Sequence, residues 1–240
     1  DAFLDLSEVC ENSANPSFND KRHIDGTRTR LHRSLCFVFC PDEKDLLPAD
    51  RERLYKTVAA ATVVIKADGA LGAGVFIGPR LIATAEHVVD GRDVRVFLSS
   101  VKPDALAEPG ESIDVDSIHR VRGLDLAFVL TKQAVPAWLN LEKDYGDEKY
   151  LMIVGHPKGK YYSLQKARIK KKDMIATSDY VIFKDNEIFF GNSGGAIVGC
   201  SGNLVGVVSM MSDYQNSMRK QGIGINSLTI SDYVNRLKLG

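Results

Sequence analysis

The feature that most constrains the fold is a long succession of short β-rich segments, each bounded by Gly, Pro, Asp or Asn. Many short strands with turn residues at regular spacing predict barrels or sandwiches instead of a parallel sheet. Two groups of six stand on either side of a polar connector, so we predict an all-β fold of two six-stranded antiparallel barrels. The predicted strands are residues 62–66, 72–78, 80–85, 93–99, 112–121 and 125–131, then 150–155, 162–170, 174–184, 195–199, 204–210 and 222–228.

Three regions follow from this pattern. Residues 1–50 are mixed and polar without a clear period, and we interpret them as an N-terminal extension, either a prosegment or a brace across the barrels. Residues 51–135 form the first barrel with a helix before it, and Pro48 suits the first turn of that helix. Residues 136–240 form the second barrel and a C-terminal helix, for which Ser231 is the predicted N-cap.

Charge and hydropathy exclude several classes of protein. The 31 basic residues balance the 31 acidic residues, so the overall charge indicates neither a nucleic-acid nor a membrane-surface protein. No run of apolar residues is long enough to span a bilayer. The first residues lack the basic and apolar pattern of a signal peptide, which favours a cytoplasmic location, in a bacterium or a host cell, over secretion. No pattern in the sequence defines an oligomeric state.

One segment departs from this balance. The stretch PKGKYYSLQKARIKKK, residues 157–172, has seven basic residues between Lys158 and Lys172 and no acidic residue. With Tyr161 and Tyr162 it could follow an RNA backbone and stack on bases. A solvated basic hairpin explains the same residues, and we favour that interpretation.

The four cysteines, Cys10, Cys36, Cys40 and Cys200, are too few for the disulfide framework of a small secreted domain. His32, Cys36 and Cys40 could contribute to a metal site. A strand would place Cys36 and Cys40 on one face, where burial in a core is an alternative. A zinc site needs a fourth ligand that the sequence does not identify, so we predict core burial and no metal.

Three short segments carry residues that fit one kind of chemistry. ATAEHVVD contains His87, GLDLAFV contains Asp125, and GNSGGAIV contains Ser193. A serine hydroxyl needs a base to become a nucleophile, and histidine has a suitable pKa. A carboxylate holds the second ring nitrogen of the histidine. The backbone N–H groups of Gly191 and Ser193 could stabilise an oxyanion, which explains the glycines around the serine.

The order of these motifs and their local sequences resemble those of the chymotrypsin-like serine proteases over roughly residues 58–235. GAGVFIGPRLIATAEHVV, IVGHPKG and LVGVVSM are most similar to the disulfide-free branch, which holds HtrA-type and related bacterial trypsin-like peptidases and viral polyprotein proteases. The resemblance implies a serine endopeptidase that hydrolyses polypeptide substrates through an acyl-enzyme and needs no cofactor. Val88 stands where vertebrate digestive relatives have cysteine, and no PDZ-like module follows the barrels.

Specificity is implied only by the resemblance. Glu187 lies six residues before the serine, where trypsin-like enzymes set the base of the primary pocket, and a carboxylate there would favour Lys or Arg. In HtrA-like relatives this region forms an apolar pocket, and that alternative stays open. One wall of either pocket would be formed by Ser209, Met210 and Met211. Glu86 stands where the family has a small residue or Asn, and we favour a solvent-facing side chain over one that tunes His87.

The sequence also fits a binding protein instead of an enzyme. A protease fold that is catalytically weak or inactive could act as a binding module through the basic segment, possibly on RNA, or through the N-terminal extension. The presence of all three predicted catalytic residues favours the enzyme.

Overall fold

Two antiparallel β-sheets and two helices make up the described part of the chain. The structure is a computed structural model that describes residues 48–100, 109–143, 150–169, 179–184, 190–212 and 221–239. The elements in chain order are α1 (Pro48–Ala61), β1 (Thr62–Ala67), β2 (Ala70–Gly78), β3 (Leu81–Thr84), β4 (Val94–Ser99), β5 (Pro109–Ile113), β6 (Val115–Val121), β7 (Leu126–Thr131), β8 (Tyr150–Gly155), β9 (Ser163–Ile169), β10 (Tyr180–Lys184), β11 (Ala196–Val198), β12 (Leu204–Ser212), β13 (Gln221–Asn226) and α2 (Ser227–Leu237). Short 3₁₀ turns cover Glu86–Val89 and Pro157–Gly159.

The first sheet has seven strands in the order β5-β4-β1-β2-β3-β7-β6 and forms a half-barrel. The sequence predicts six strands here, because residues 112–121 form one continuous β-rich run. The structure divides that run at Asp114, which belongs to neither strand and whose carbonyl oxygen accepts a hydrogen bond from the backbone of Lys132. The break lets β5 pair with β4 while β6 pairs with β7.

The second sheet is a closed barrel of six strands in the order β10-β13-β12-β11-β8-β9. Its strand β8 is an apolar run buried along its whole length, which is typical of a strand with covered faces. The observed architecture confirms the predicted chymotrypsin-like fold of two barrel-like sheets with helices toward the ends of the sequence.

A continuous apolar core joins the two sheets. Buried residues of the first sheet, such as Val75 and Phe128, belong to one cluster with Val154 and Val207 of the barrel and with Val58 of α1. Burying a side chain of this size contributes about 1.5–3 kcal/mol, so the junction between the sheets is a stable platform for a site built from both.

The C-terminal helix begins earlier than the sequence predicted. Asn226 is its N-cap, and the Asn226 side chain accepts a hydrogen bond from the backbone N–H of Thr229 at 2.8 Å. The prediction that Ser231 caps the helix is therefore wrong, because Ser231 lies inside α2, beyond the backbone N–H groups that need a cap.

Cys200, just after β11, is buried and disulfide-bonded. This differs from the disulfide-free relatives that the sequence resembles. A count of cysteines does not reveal which thiols the fold brings within bonding distance. Neither described helix is long and apolar enough to cross a membrane.

Some sequence predictions fall on parts of the chain that lie outside the described residues. They are the extension up to residue 47 with Cys10, Cys36 and Cys40, the specificity residue Glu187, the side chains of Met210 and Met211, and the last basic residues of the segment that ends at Lys172.

Candidate active site

His87 lies on the 3₁₀ turn that follows β3. The turn is anchored by Val88 and Val89, whose side chains are buried in the core of the first sheet. The His87 side chain is 51% exposed, so its ring is accessible from solvent. A short turn with an apolar anchor therefore holds a solvent-accessible imidazole.

Asp125 immediately precedes β7, the strand that pairs with β3. Because these two strands are neighbours, their ends bring Asp125 beside His87. His87 Nδ1 lies 2.9 Å from both carboxylate oxygens of Asp125, and the backbone N–H of His87 donates to Asp125 Oδ1 at 3.0 Å. The pair fixes the ring so that Nε2 is the nitrogen left available for chemistry.

Ser209 supplies a further hydrogen bond from the second barrel. Its hydroxyl donates to Asp125 Oδ2 at 2.6 Å, and its side chain is almost fully buried. Ser209 lies at a register shift between Val208 and Met210, and such bulges redirect a side chain. The sequence places Ser209 only in a predicted pocket wall and does not reveal this contact, because a bulge leaves no clear signal in a strand pattern.

These contacts set the protonation of the pair. Burial favours the neutral acid form of Asp125, but hydrogen bonds from His87 and Ser209 outweigh it and hold the pKa of Asp125 below its ordinary value. The hydrogen bond to Asp125 raises the pKa of His87 against the opposing effect of burial, with smaller contributions from the charges of Asp125 and Glu86. The arrangement stabilises an imidazolium that forms during a reaction.

Ser193 lies in a tight turn packed against the first sheet. The backbone N–H of Ala73 in β2 donates to the carbonyl oxygen of Ser193 at 2.8 Å. Gly194 has a φ of +78°, and a side chain there would collide with the Ala73 carbonyl and the Thr84 hydroxyl. Thr84 is three residues before His87, so glycine permits a close approach of the serine turn to the histidine segment.

The same turn is also bonded to the strand that carries Ser209. The Gly194 N–H donates to the carbonyl of Val208 at 2.6 Å, and the Val208 N–H donates to the carbonyl of Gly195 at 2.9 Å. Gly194 therefore contacts the segment that leads to His87 and the strand that carries Ser209, the hydrogen-bond donor to Asp125. Within the described ranges, Ser193 Oγ makes no hydrogen bond to His87 or to another residue.

The loop before Ser193 is held from the other side by the turn after β8. The backbone N–H of His156 donates to the carbonyl of Gly191 at 3.0 Å, and that of Lys158 donates to the carbonyl of Phe190 at 2.8 Å. Gly191 has a φ of +96°, which favours glycine. Within the described part of the chain, the backbone N–H groups of Gly191 and Ser193 donate to no backbone acceptor.

His156 directly follows β8, and its side chain is completely buried. Its Nε2–H donates to the carbonyl of Val63 at 3.0 Å, and its Nδ1 accepts from the backbone N–H of Tyr162 at 3.0 Å. Burial lowers the pKa of His156 from 6.5 to about 4, so the ring is neutral near pH 7. His156 is a structural residue that links β1 to the turn beneath Gly191.

The pH dependence of the free energy of unfolding should reveal the lowered pKa of His156. Its folded pKa is below its unfolded value, so the unfolded chain binds a proton first and stability falls as pH decreases from about 6.5 to about 4, by about 3 kcal/mol in all. The free energy of unfolding of the H156Q variant should show a shallower decline over this range than that of the wild type, measured by urea denaturation. Equal declines in the two proteins would contradict the assignment.

The Glu86 side chain is partly exposed and forms an ion pair with Arg120. Its carboxylate is 3.6 Å from Arg120 Nε, and its side chain is 35% exposed. Its charge also contributes to the raised pKa of His87. The interpretation as a purely solvent-facing residue is therefore incomplete.

Within the described residues, no group of three or more His, Cys, Asp or Glu side chains is placed to bind a metal ion. The prediction that Glu187, Met210 and Met211 line the specificity pocket stays a prediction. For the basic segment, the solvated hairpin also stays a prediction, with RNA binding as its alternative.

Known proteins share part of this sequence and this fold. The family profile of the trypsin-like peptidase domain matches residues 72–207. The Rv3671c protease from M. tuberculosis in its active form is 18% identical, with a TM-score of 0.62 over 79% of this chain and 86% of that chain. The serine endoprotease from Yersinia pestis is 19% identical, with a TM-score of 0.62 over 80% of this chain and 68% of that one. At these identities the likeness to solved structures establishes the fold.

The fold is that of the chymotrypsin-like proteins. The family profile covers more than half of the chain, and the chain therefore belongs to the trypsin-like peptidase family. It is a serine endopeptidase, as the resemblance implied, and its substrates are polypeptides.

Proposed function

We propose that Ser193, His87 and Asp125 form the catalytic triad of this endopeptidase. Ser193 Oγ attacks the carbonyl carbon of the scissile peptide bond, and His87 Nε2 takes the hydroxyl proton. His87 then gives this proton to the nitrogen of the leaving amine as the C–N bond breaks. Water adds to the ester on Ser193 with His87 again as the base, and the carboxylic acid product leaves with the serine regenerated.

Asp125 and the loop around Ser193 have supporting roles in this reaction. The Asp125 carboxylate orients the ring of His87 and stabilises the imidazolium, and Ser209 holds Asp125 in place. The backbone N–H groups of Gly191 and Ser193 donate to the oxyanion of the tetrahedral intermediate. No cofactor enters any of these steps.

The observation that carries the proposal is the His87–Asp125 pair, with Nδ1 2.9 Å from both carboxylate oxygens, beside a serine turn bonded to β2 and β12. Catalytic hydrogen bonds in proteins without substrate are often long and tighten only in the complex. A contact between Ser193 and His87 is therefore expected when substrate is bound.

A peptide library tests the proposed function. The purified chain is incubated with a library in water enriched in ¹⁸O, and the products are sequenced by mass spectrometry. We expect internal cleavage with ¹⁸O in the new carboxyl groups, because water cleaves the acyl-enzyme. An intact library would contradict the proposal and favour the inactive binding module instead.

A further inference from the structure

A cavity of about 600 Å³ opens beside the catalytic pair, on the flank formed by the end of β6 and the turn before Asp125. Its lining residues include Glu86, Arg120, Arg122, Leu124, Asp125 and Tyr180. Glu86 and Asp125 belong to the segments that hold His87. A polypeptide lying across Ser193 and His87 would therefore pass the mouth of this cavity.

Three of the four charged side chains that line the cavity already have partners. Asp125 is bonded to His87 and Ser209. Glu86 pairs with Arg120, whose Nη2 donates in addition to the carbonyl of Val89 at 2.6 Å. Among the described residues that line the cavity, these contacts leave one cation without a partner.

That cation is Arg122. Its side chain is exposed, and within the ranges that the structure describes it makes no hydrogen bond or ion pair. A guanidinium is always charged and binds carboxylates through paired hydrogen bonds. The cavity thus presents an available donor for an anionic group.

The apolar part of the cavity lining suits the aliphatic stem of a substrate side chain. Leu124 and Tyr180 are partly buried against the main core and offer apolar surface. Gly123, with a φ of +83°, has no neighbouring atoms within 4 Å of the position a Cβ would take, so the rim beside Arg122 is open. An aliphatic stem that ends in a carboxylate fits this combination of apolar wall and cation.

We propose that this cavity is a substrate subsite that binds an acidic side chain, Glu or Asp, with Arg122 as its specificity-determining residue. The proposal rests on the proposed function, because it concerns the polypeptide cleaved by Ser193. It adds a preference beside the catalytic pair to any preference of the primary pocket, for which the sequence predicts Glu187. The partner is the substrate itself.

Cleavage-site profiling of the full chain tests the subsite. The wild type should enrich Glu and Asp at one position near the scissile bond. The ratio of kcat/KM for a pair of peptides with Glu or Gln at that position should be about five, a value expected for an exposed ion pair. R122A should bring the ratio to about one, and R122E should shift the enrichment to Lys and Arg.

Two further variants sharpen the result. R92E makes the same charge change at an exposed arginine outside the cavity and should keep the wild-type ratio. E86Q removes a negative charge from the cavity and the ion-pair partner of Arg120, so it should raise the Glu-to-Gln ratio of kcat/KM. Any effect of E86Q on His87 acts on both peptides and therefore cancels in this ratio. Thermal unfolding checks that each variant is folded.

Three outcomes would overturn the subsite. The first is a wild-type cleavage profile without enrichment of Glu or Asp. The second is an enrichment of Glu or Asp that persists in R122E. The third is a fall of the Glu-to-Gln ratio of kcat/KM in R92E as large as that in R122E. In each of these cases peptides are still cleaved, and the proposed function stands. A wild type that cleaves no peptide would contradict the proposed function and the subsite with it.

Discussion

Replacement of Ser193 by alanine is expected to lower kcat by about 10⁶, because it removes the atom that forms the acyl-enzyme. The residual rate over water would come from the oxyanion donors and substrate binding alone. Steady-state hydrolysis of a peptide found in the library, followed by chromatography, measures the effect.

The control is S112A, which removes an exposed hydroxyl from β5, in the other sheet. It should keep the wild-type kcat. Ser193 makes no hydrogen bond through Oγ within the described residues, so S193A should also unfold at about the wild-type temperature. A kcat within tenfold of the wild-type value in S193A would refute the nucleophile.

Asp125→Asn is expected to lower kcat by about 10⁴ at neutral pH. The amide is similar in size but neutral, so it neither stabilises the imidazolium nor fixes the tautomer that leaves Nε2 free. Because Asp125 raises the pKa of His87, the variant should also shift the acidic limb of its kcat/KM profile to lower pH. Stopped assays across a pH series measure both effects.

The matched variant is D90N, an exposed carboxylate at the end of the turn that carries His87. It lies outside the pair and should change kcat little. A loss below tenfold in D125N, or equal losses in D125N and D90N, would show that Asp125 does not orient the base.

The strand pattern predicted much of the fold, because apolar β-branched runs between turn residues depend on local chemistry. The bounds of β8 agree with those predicted from its sequence, YLMIVG. The break at Asp114 was not predictable in the same way. It depends on which neighbours β5 and β6 pair with, and such pairing is a tertiary property.

In the candidate site, too, the residues in local motifs were predicted, and the contacts that depend on distant residues were not. His87 and Asp125 were predicted from short motifs, because their chemistry requires fixed residue types beside glycines and strand ends. The hydrogen bond from Ser209 and the burial of His156 depend on partners far away in the sequence, at Asp125 and Val63. The spacing of residues along one strand carries no information about such contacts.

The most direct test of the central claim, that His87 and Asp125 activate Ser193, is reaction with a fluorophosphonate followed by peptide mapping. Fluorophosphonates phosphonylate an activated serine. We expect one adduct, on Ser193, that is absent in S193A and forms far more slowly in D125N. An adduct on another serine, or no adduct on a folded wild-type chain, would contradict it.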